Sequence, residues 1–256
     1  MPLPTSRLRA AIKAASVHFF ASLLVASLAA ALVFGLWYPY PYRELAGGRE
    51  LFILVVTVDV ICGPLLTLVL FNPAKQRNEL WRDLTLVCLI QFAALGYGLY
   101  AVWLARPLYL VQEIDRFKVI AAPDIEGAAL AALPQALQPQ LLRGPLVVAI
   151  REPIDAKERE KIMFESVQGG RDYADRPDFY VPYEGAEAAK SLQRAKPLNQ
   201  FLQKYPDQVP AAQELLSKGK FDLQSLKYLP VMARQDWVVV LDGNGGVVGF
   251  LKGDGF

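Results

Sequence analysis

The sequence has very little histidine or cysteine, which removes several kinds of site at once. His18 is the single histidine among 256 residues, so a histidine-based metal cluster or a Ser-His-Asp triad has no basis. The two cysteines, Cys62 and Cys88, both fall in apolar segments, and no cysteine follows them. Disulfide bonds therefore do not stabilise the C-terminal part of the chain, whichever compartment it occupies.

Strong net charge and catalytic motifs are also missing. The net charge is +2, and the part from Ala105 onward carries 19 Lys/Arg against 20 Asp/Glu. Without a basic stripe interleaved with aromatic residues, the sequence gives no support for nucleic-acid binding. It contains no P-loop, no G-x-S-x-G and no H-E-x-x-H motif. The sequence therefore predicts a protein that is not an enzyme and that needs no metal or cofactor.

Long hydrophobic runs are what the sequence does have. Hydrophobic residues make up 54% of the chain, and three runs, 17–37, 51–71 and 84–104, contain 21 residues each. At about 1.5 Å per residue, each spans roughly 31 Å, enough to cross the hydrocarbon core of a bilayer. A cleaved signal peptide is the alternative for the first run, but its length favours an uncleaved span. The expected domains are an N-terminal tail (1–16), a three-helix transmembrane region (17–104) and a soluble domain (105–256).

The distribution of Lys and Arg predicts the orientation. Six of them precede the first run or separate the second from the third: Arg7, Arg9, Lys13, Lys75, Arg77 and Arg82. The loop between the first two runs has two, Arg43 and Arg49. The positive-inside rule then predicts that the tail and the second loop are cytoplasmic and that 105–256 lies on the far side. The aromatic residues that follow the first run are expected at the membrane interface: Trp37, Tyr38, Tyr40 and Tyr42.

Two unusual features lie inside the second run, a carboxylate at Asp59 and the helix-breaking pair Gly63-Pro64. A carboxylate at this depth costs a few kcal/mol and usually faces protein or water. One interpretation is a buried acid, hydrogen-bonded to Gln91 or Thr67. A second is a contact to the transmembrane helix of a partner, and a third is a proton or ion path. Pro64 is expected to kink the helix and to free a carbonyl near residue 60.

Small residues form a strip in the third run: Ala93, Ala94, Gly96 and Gly98. Such strips allow helices to approach closely. The strip predicts packing within the chain's own bundle, a groove for another protein's helix, or both.

The region after residue 105 reads as an α+β domain. Strands are predicted over 107–120, 146–150, 236–241 and 247–251, with a hairpin turn at Asp242–Gly246. Helices are predicted over 155–168, 187–196, 198–204 and 210–218, with Asp155 as an N-cap and Gly219 as a C-cap. The predicted fold class is a membrane protein with three transmembrane α-helices followed by an α+β soluble domain.

Two stretches carry a family resemblance: DVICGPLLTLVLFNPAKQRNELWRDL from Asp59 and QFAALGYGLYAVWLARPLYLVQEIDRFKV from Gln91. Together with the three-span layout, they resemble the TfpX/TfpZ family of type IV pilin accessory proteins. The resemblance implies a bacterial inner-membrane protein with a periplasmic soluble domain. It also implies a cognate major pilin as partner, besides membrane lipid, and an effect on pilus assembly and surface display. It offers no catalytic residues.

An unassembled pilin of this kind presents one apolar helix in the membrane and a globular head outside it. The residues expected to contact the helix are Asp59, Gly63, Pro64, Gln91 and Gly96. The residues expected at the junction between membrane and periplasm are Arg106, Tyr109, Glu113, Asp115 and Arg116. These junction residues have a second interpretation, interface anchoring of the third span. The alternative function is a membrane-anchored periplasmic module that senses or binds a small ligand.

Overall fold

The structure is a computed structural model that describes residues 5–141 and 143–256. It divides into two compact units. The helical unit contains the residues up to Leu36 together with Gly48–Leu104. The α/β unit contains the first loop, Trp37–Gly47, together with Ala105–Phe256. The predicted fold class, three long apolar helices followed by a mixed α/β domain, is confirmed.

Within residues 5–141 and 143–256, three helices are long and apolar enough to cross a membrane. Helix α1 (Thr5–Leu32) continues as a π-helical turn (Val33–Trp37), and a short helix, α2 (Tyr42–Leu45), lies in the first loop. Helices α3 (Gly48–Leu70) and α4 (Arg77–Leu104) complete the set. The three predicted runs lie almost wholly within these helices, and α3 continues across Pro64 without a break.

In the helical unit, α3 lies between α1 and α4 and packs along both. The face of α1 that is buried carries small side chains, Ser22, Ala26 and Ala29. Small residues at this spacing allow two helices to approach closely where no hydrophobic effect drives them together. Helices α1 and α4 do not pack along one another, so the unit is a row of three helices rather than a closed bundle.

Among the residues that the structure describes, the α/β unit contains eight strands and five further α-helices. The strands are β1 (Pro107–Gln112), β2 (Phe117–Ala121), β3 (Leu146–Ile150), β4 (Tyr180–Pro182), β5 (Lys196–Pro197), β6 (Lys227–Met232), β7 (Trp237–Leu241) and β8 (Val247–Lys252). The helices are α5 (Gly127–Ala131), α6 (Ala156–Val167), α7 (Gly185–Ser191), α8 (Leu198–Lys204) and α9 (Val209–Gly219).

The strands form one mixed sheet in the order β4-β3-β1-β2-β6-β7-β8, and β5 also pairs with β6. Strand β1 is antiparallel to β2 and parallel to β3, while β6, β7 and β8 form an antiparallel meander. The two halves join where β2 runs parallel to β6 over only two residue pairs, Phe117 with Val231 and Lys118 with Met232. Buried β-branched and aromatic side chains fill both halves.

The first loop is part of the core of the α/β unit. Leu45 is fully buried, and both it and Tyr42 pack in a cluster with Leu110, Phe117 and other sheet residues. The ring of Tyr42 meets that of Phe250 edge-on at 5.7 Å. The prediction that Tyr38 and Tyr42 face the membrane interface is therefore wrong. Both side chains are buried, and that of Tyr42 packs against residues of the sheet.

Backbone contacts also attach this loop to the β6–β7 turn. The backbone N–H of Arg234 donates a hydrogen bond to the carbonyl of Leu45 at 3.0 Å. Gly47 has a φ of +70° and lies against the Arg234 side chain, where a Cβ would come within 2.8 Å of the arginine Cδ. Glycine is required here by both the backbone conformation and the close approach.

Several local predictions differ from the structure. Strand β6 is not among the predicted strands, and the proline within it, Pro230, is unusual for a central strand. In the structure, Pro230 lies opposite Val238 of β7 and, on the other side of β6, between the short stretches that pair with β2 and with β5. The helix predicted over 187–196 ends at Ser191, and Gly219 is the last residue of α9, with Lys220 as the left-handed cap.

Candidate partner-binding site

Asp59 and Gln91 form a polar pair at the middle of the helical unit. The side-chain amide of Gln91 donates to the Asp59 carbonyl at 3.0 Å and to its Oδ1 at 3.3 Å. Asp59 is 8% exposed and lies eleven residues from each end of α3. At 1.5 Å per residue, that is roughly 16 Å from either end of the helix. Of the two neighbours expected for Asp59, Gln91 is the one bonded to it.

Thr67, the other expected neighbour, bonds to the only histidine. The Thr67 hydroxyl lies 2.6 Å from His18 Nδ1, so this pair links α1 to α3 near the C-terminal end of α3. His18 is half-buried and belongs to the contact between the two helices.

The glycines of α3 and α4 have different surroundings. A Cβ on Gly63 would overlap the Gln91 side chain, so the missing side chain at Gly63 is what lets Gln91 reach Asp59. Gly98 lies against Val55 of α3 in the same way. By contrast, a Cβ on Gly96 would meet nothing within 4 Å. The small-residue strip of α4 is thus divided between an inward face at Gly98 and an outward face at Gly96.

A cavity of about 120 Å³ lies beside the polar pair. From α1 it is lined by His18, Ala21, Ser22 and Val25. From α4 it is lined by Cys88, Gln91, Phe92 and Leu95, and Asp59 of α3 is at its floor. Of the predicted helix-contact residues, the structure brings Asp59 and Gln91 into this cavity and Gly63 directly behind Gln91. Pro64 and Gly96 are not among its lining residues.

The five predicted junction residues fall into two groups, and the first contains Arg106 and Tyr109. Arg106 follows α4 by two residues, and burial lowers the pKa of its guanidinium while the nearby Tyr38 raises it. Tyr109 is fully buried, its hydroxyl donates to the Leu137 carbonyl at 2.7 Å, and its ring meets Tyr180 at 4.9 Å. Tyr109 is therefore part of the hydrophobic core, and its side chain is not accessible to a partner.

The second group, Glu113, Asp115 and Arg116, forms the turn between β1 and β2. The Glu113 N–H donates to the Arg116 carbonyl at 2.8 Å, and Arg116 Nε donates to Asp115 Oδ1 at 2.7 Å. This turn is at the opposite end of the six-residue strand β1 from Arg106, roughly 20 Å away. The structure does not bring these residues together with Arg106.

The two acids in the turn have opposite electrostatic environments. Burial raises the pKa of the Glu113 carboxyl, and the charge of Asp172 adds to that effect. The hydrogen bond from Arg116 holds the pKa of Asp115 below its usual value. Glu113 is the charged group whose ionisation the fold opposes, and Asp115 the one whose ionisation it supports.

Sequence reasoning missed the α1 side of the cavity and the role of the first loop. The α1 side has a recognisable signal, since Ser22, Ala26 and Ala29 repeat at helical spacing within an apolar run. No three His, Cys, Asp or Glu side chains come together as a metal site anywhere in residues 5–141 and 143–256.

Three helices apolar enough to cross a membrane, together with a mixed α/β unit that encloses the first loop, are the features of a membrane-anchored protein. A family model described as "FimB: Fimbrial assembly protein FimB" matches residues 6–47. Two curated relatives from Dichelobacter nodosus match over nearly the whole chain. The fimbrial assembly protein of serogroup I is 38% identical and that of serogroup E1 36% identical, each over 253 residues and 96% of both chains.

A third relative, the fimbrial assembly protein of D. nodosus serogroups C1 and C2, is 44% identical over 126 residues, covering 49% of this chain and 94% of its own. The chain therefore belongs to the fimbrial assembly protein (FimB) family. No solved structure matches it significantly. The broader part of the sequence prediction, a role in fimbrial assembly, is confirmed, while the TfpX/TfpZ assignment stays a prediction.

Proposed function

We propose that this protein is a type IV pilin accessory protein of the bacterial inner membrane, of the TfpX/TfpZ kind. It binds its cognate major pilin and modulates pilus assembly and surface display without catalysing a reaction. The observation that carries the proposal is the similarity to fimbrial assembly proteins over 96% of the chain, which includes both the helices and the α/β unit.

The proposed orientation puts the α/β unit in the periplasm. Six Lys/Arg of the tail and second loop against two in the first loop support a cytoplasmic N-terminus. The fold agrees with three crossings, although it does not distinguish the two orientations. Because the first loop and Ala105–Phe256 share one core, they must be on the same side of the membrane. Three crossings from a cytoplasmic N-terminus satisfy this requirement.

A pilin waiting in the membrane would meet this protein twice, with its helix and with its head. We propose that the helix is received near Asp59, Gly63, Pro64, Gln91 and Gly96. For the head, the candidates are the exposed Asp115 together with the half-buried Arg106, Glu113 and Arg116. Two weak contacts to one partner reinforce each other, because the first raises the effective concentration for the second.

Co-isolation tests this function. An affinity-tagged full chain is expressed in piliated host cells, extracted in mild detergent and probed for the major pilin by immunoblot. We expect the pilin to be recovered with the tagged chain and not with a tagged unrelated three-span protein. Deletion of the gene should also change the number of pili on the cell surface. Normal accumulation of the tagged chain without any pilin, together with unchanged piliation in the deletion strain, contradicts the proposal.

A further inference from the structure

The row arrangement of the three helices leaves an open groove on one side of α3. Its walls are α1 and α4, which do not pack along one another, and its floor is α3. On α1 the lining residues include Ala21, Ser22 and Val25, and on α4 they include Gln91, Phe92 and Leu95. Both sets recur at three- and four-residue intervals, which is the spacing of a helix face that packs on another helix. The groove thus has the geometry of a four-helix arrangement that lacks its fourth helix.

Polar atoms at the floor of the groove lack partners. Asp59 and Ser22 are both more than nine-tenths buried and both line the cavity. Asp59 Oδ1 accepts from Gln91, and the described residues show no hydrogen bond to Asp59 Oδ2 or Ser22 Oγ; neither atom is among the fully enclosed unpartnered atoms, so both remain accessible from the cavity. Acyl chains have no hydrogen-bond donor to offer, and an unsatisfied polar group in hydrocarbon costs several kcal/mol. A molecule that binds in the groove would therefore be stabilised by a hydrogen-bonding group placed at the depth of Asp59.

The size of the cavity limits what that occupant inserts. At about 120 Å³ it is too small for a helix. An apolar cavity of roughly 150 Å³ holds a benzene-sized group. The cavity beside Asp59 therefore fits one medium-sized side chain of a helix that lies along the groove.

We propose that this groove is the receptor for the transmembrane helix of the pilin, an inference that rests on the proposed function. The helix lies between α1 and α4 and inserts one side chain with a hydrogen-bond donor, such as Ser, Thr, Asn or Gln, beside Asp59 and Ser22. Phe92 and Ala21 contact it from the two walls. The face of α4 opposite the groove, which carries Tyr97, faces lipid.

Photo-crosslinking distinguishes these two faces of α4. The photoreactive residue p-benzoylphenylalanine replaces Phe92, which lines the groove and is 64% exposed, or Tyr97, which does not line it and is 75% exposed. Both are aromatic, both are on α4 and both are more than half exposed, so Tyr97 is a matched control. The tagged full chain is co-expressed with the host's major pilin, irradiated in cells and purified, and the products are identified by mass spectrometry.

We expect a pilin adduct at position 92 that exceeds the one at position 97 by at least about fivefold. Equal adducts at both positions overturn the groove, as does an adduct of position 92 with a second copy of this chain. If pilin co-purifies but crosslinks at neither position, the groove is wrong and the proposed function stands. If no pilin co-purifies at all, the proposed function falls and the inference with it.

Groove-filling variants give a second measurement. Ala21→Phe adds a ring to the groove wall, and Leu28→Phe adds one to an exposed position of α1 outside the groove. Both variants should accumulate normally, because neither position is buried. We expect Ala21→Phe to lower the recovery of pilin roughly fivefold or more, because bulk added at a packed contact destabilises that contact. Equal recovery of pilin with both variants contradicts the proposal.

Discussion

Replacing Leu45 by alanine should destabilise the α/β unit, although this residue precedes the rest of that unit by sixty positions. Leu45 is 0% exposed and packs among Leu110, Phe117 and Leu229. Truncation of a fully buried leucine to alanine lowers the free energy of unfolding by about 2–5 kcal/mol. For a unit of this size, each kcal/mol lowers the melting temperature by roughly 2–4 °C, so we expect a decrease of about 4–20 °C.

Limited proteolysis along a temperature ramp measures this effect on the purified full chain in mild detergent, with fragments of Ala105–Phe256 identified by mass spectrometry. Ile114→Ala is the matched control, because Ile114 is a large apolar residue of the same unit that is 78% exposed. Its change should remain within about 0.5 kcal/mol. If Leu45→Ala has the same melting temperature as the control and the parent chain, the first loop is not part of the core. The first loop and Ala105–Phe256 would then not need to lie on the same side of the membrane.

Two further pairs of variants test particular contacts. Gly98→Ala should destabilise the helical unit by about 1–3 kcal/mol because its Cβ would overlap Val55, whereas Gly96→Ala should be neutral; thermal melting in detergent measures both. Glu113→Gln should raise the melting temperature at pH 7, because the raised pKa of this carboxyl makes its ionisation unfavourable to folding. The gain should disappear below pH about 4, where the unfolded chain is also protonated. Asp115→Asn should act oppositely, since the lowered pKa supplies stability above pH about 4 that is lost on acidification. If the melting temperatures of the two variants depend on pH in the same way, the opposite pKa shifts of Glu113 and Asp115 are wrong.

The membrane helices were predictable because length and apolar composition are sufficient to define them. Each predicted run ends within one residue of its helix or inside it, since no soluble helix needs so long an apolar surface. The strands β1, β3, β7 and β8 were predictable for a similar reason, as short β-branched runs between turn residues.

The placement of the first loop was not predictable. Its sequence, YPYPYRELAGG, has the aromatic residues typical of a membrane interface, and the same residues are suited to a buried core. Only the packing of the loop against β6, β7 and the turn between them, far along the chain, shows that these aromatic residues belong to a core and not to a membrane interface. The predicted group of junction residues is not together in the structure, although its members are close in sequence. Residues 106 and 113–116 are close in sequence, but an extended strand separates them by its full length.

The polar pair was partly predictable. The cost of burying Asp59 in a bilayer pointed to a neighbouring helix, and Gln91 was one of two polar candidates within the runs. The groove itself depends on how α1 and α4 rotate about α3. That rotation is set by the contacts of small residues such as Ser22 and Gly98, which a one-dimensional pattern does not orient.

The side of the membrane on which the α/β unit lies is the property on which the proposed function depends most. Alkaline phosphatase, which is active only in the periplasm, is fused after Phe256 or inserted in the loop between α3 and α4 near Ala74. The account predicts high activity for the first fusion and low activity for the second, with both fusion proteins present at similar levels. An inactive fusion at Phe256 beside an active one near Ala74 contradicts it, because the α/β unit would then face the cytoplasm, away from a periplasmic pilin head.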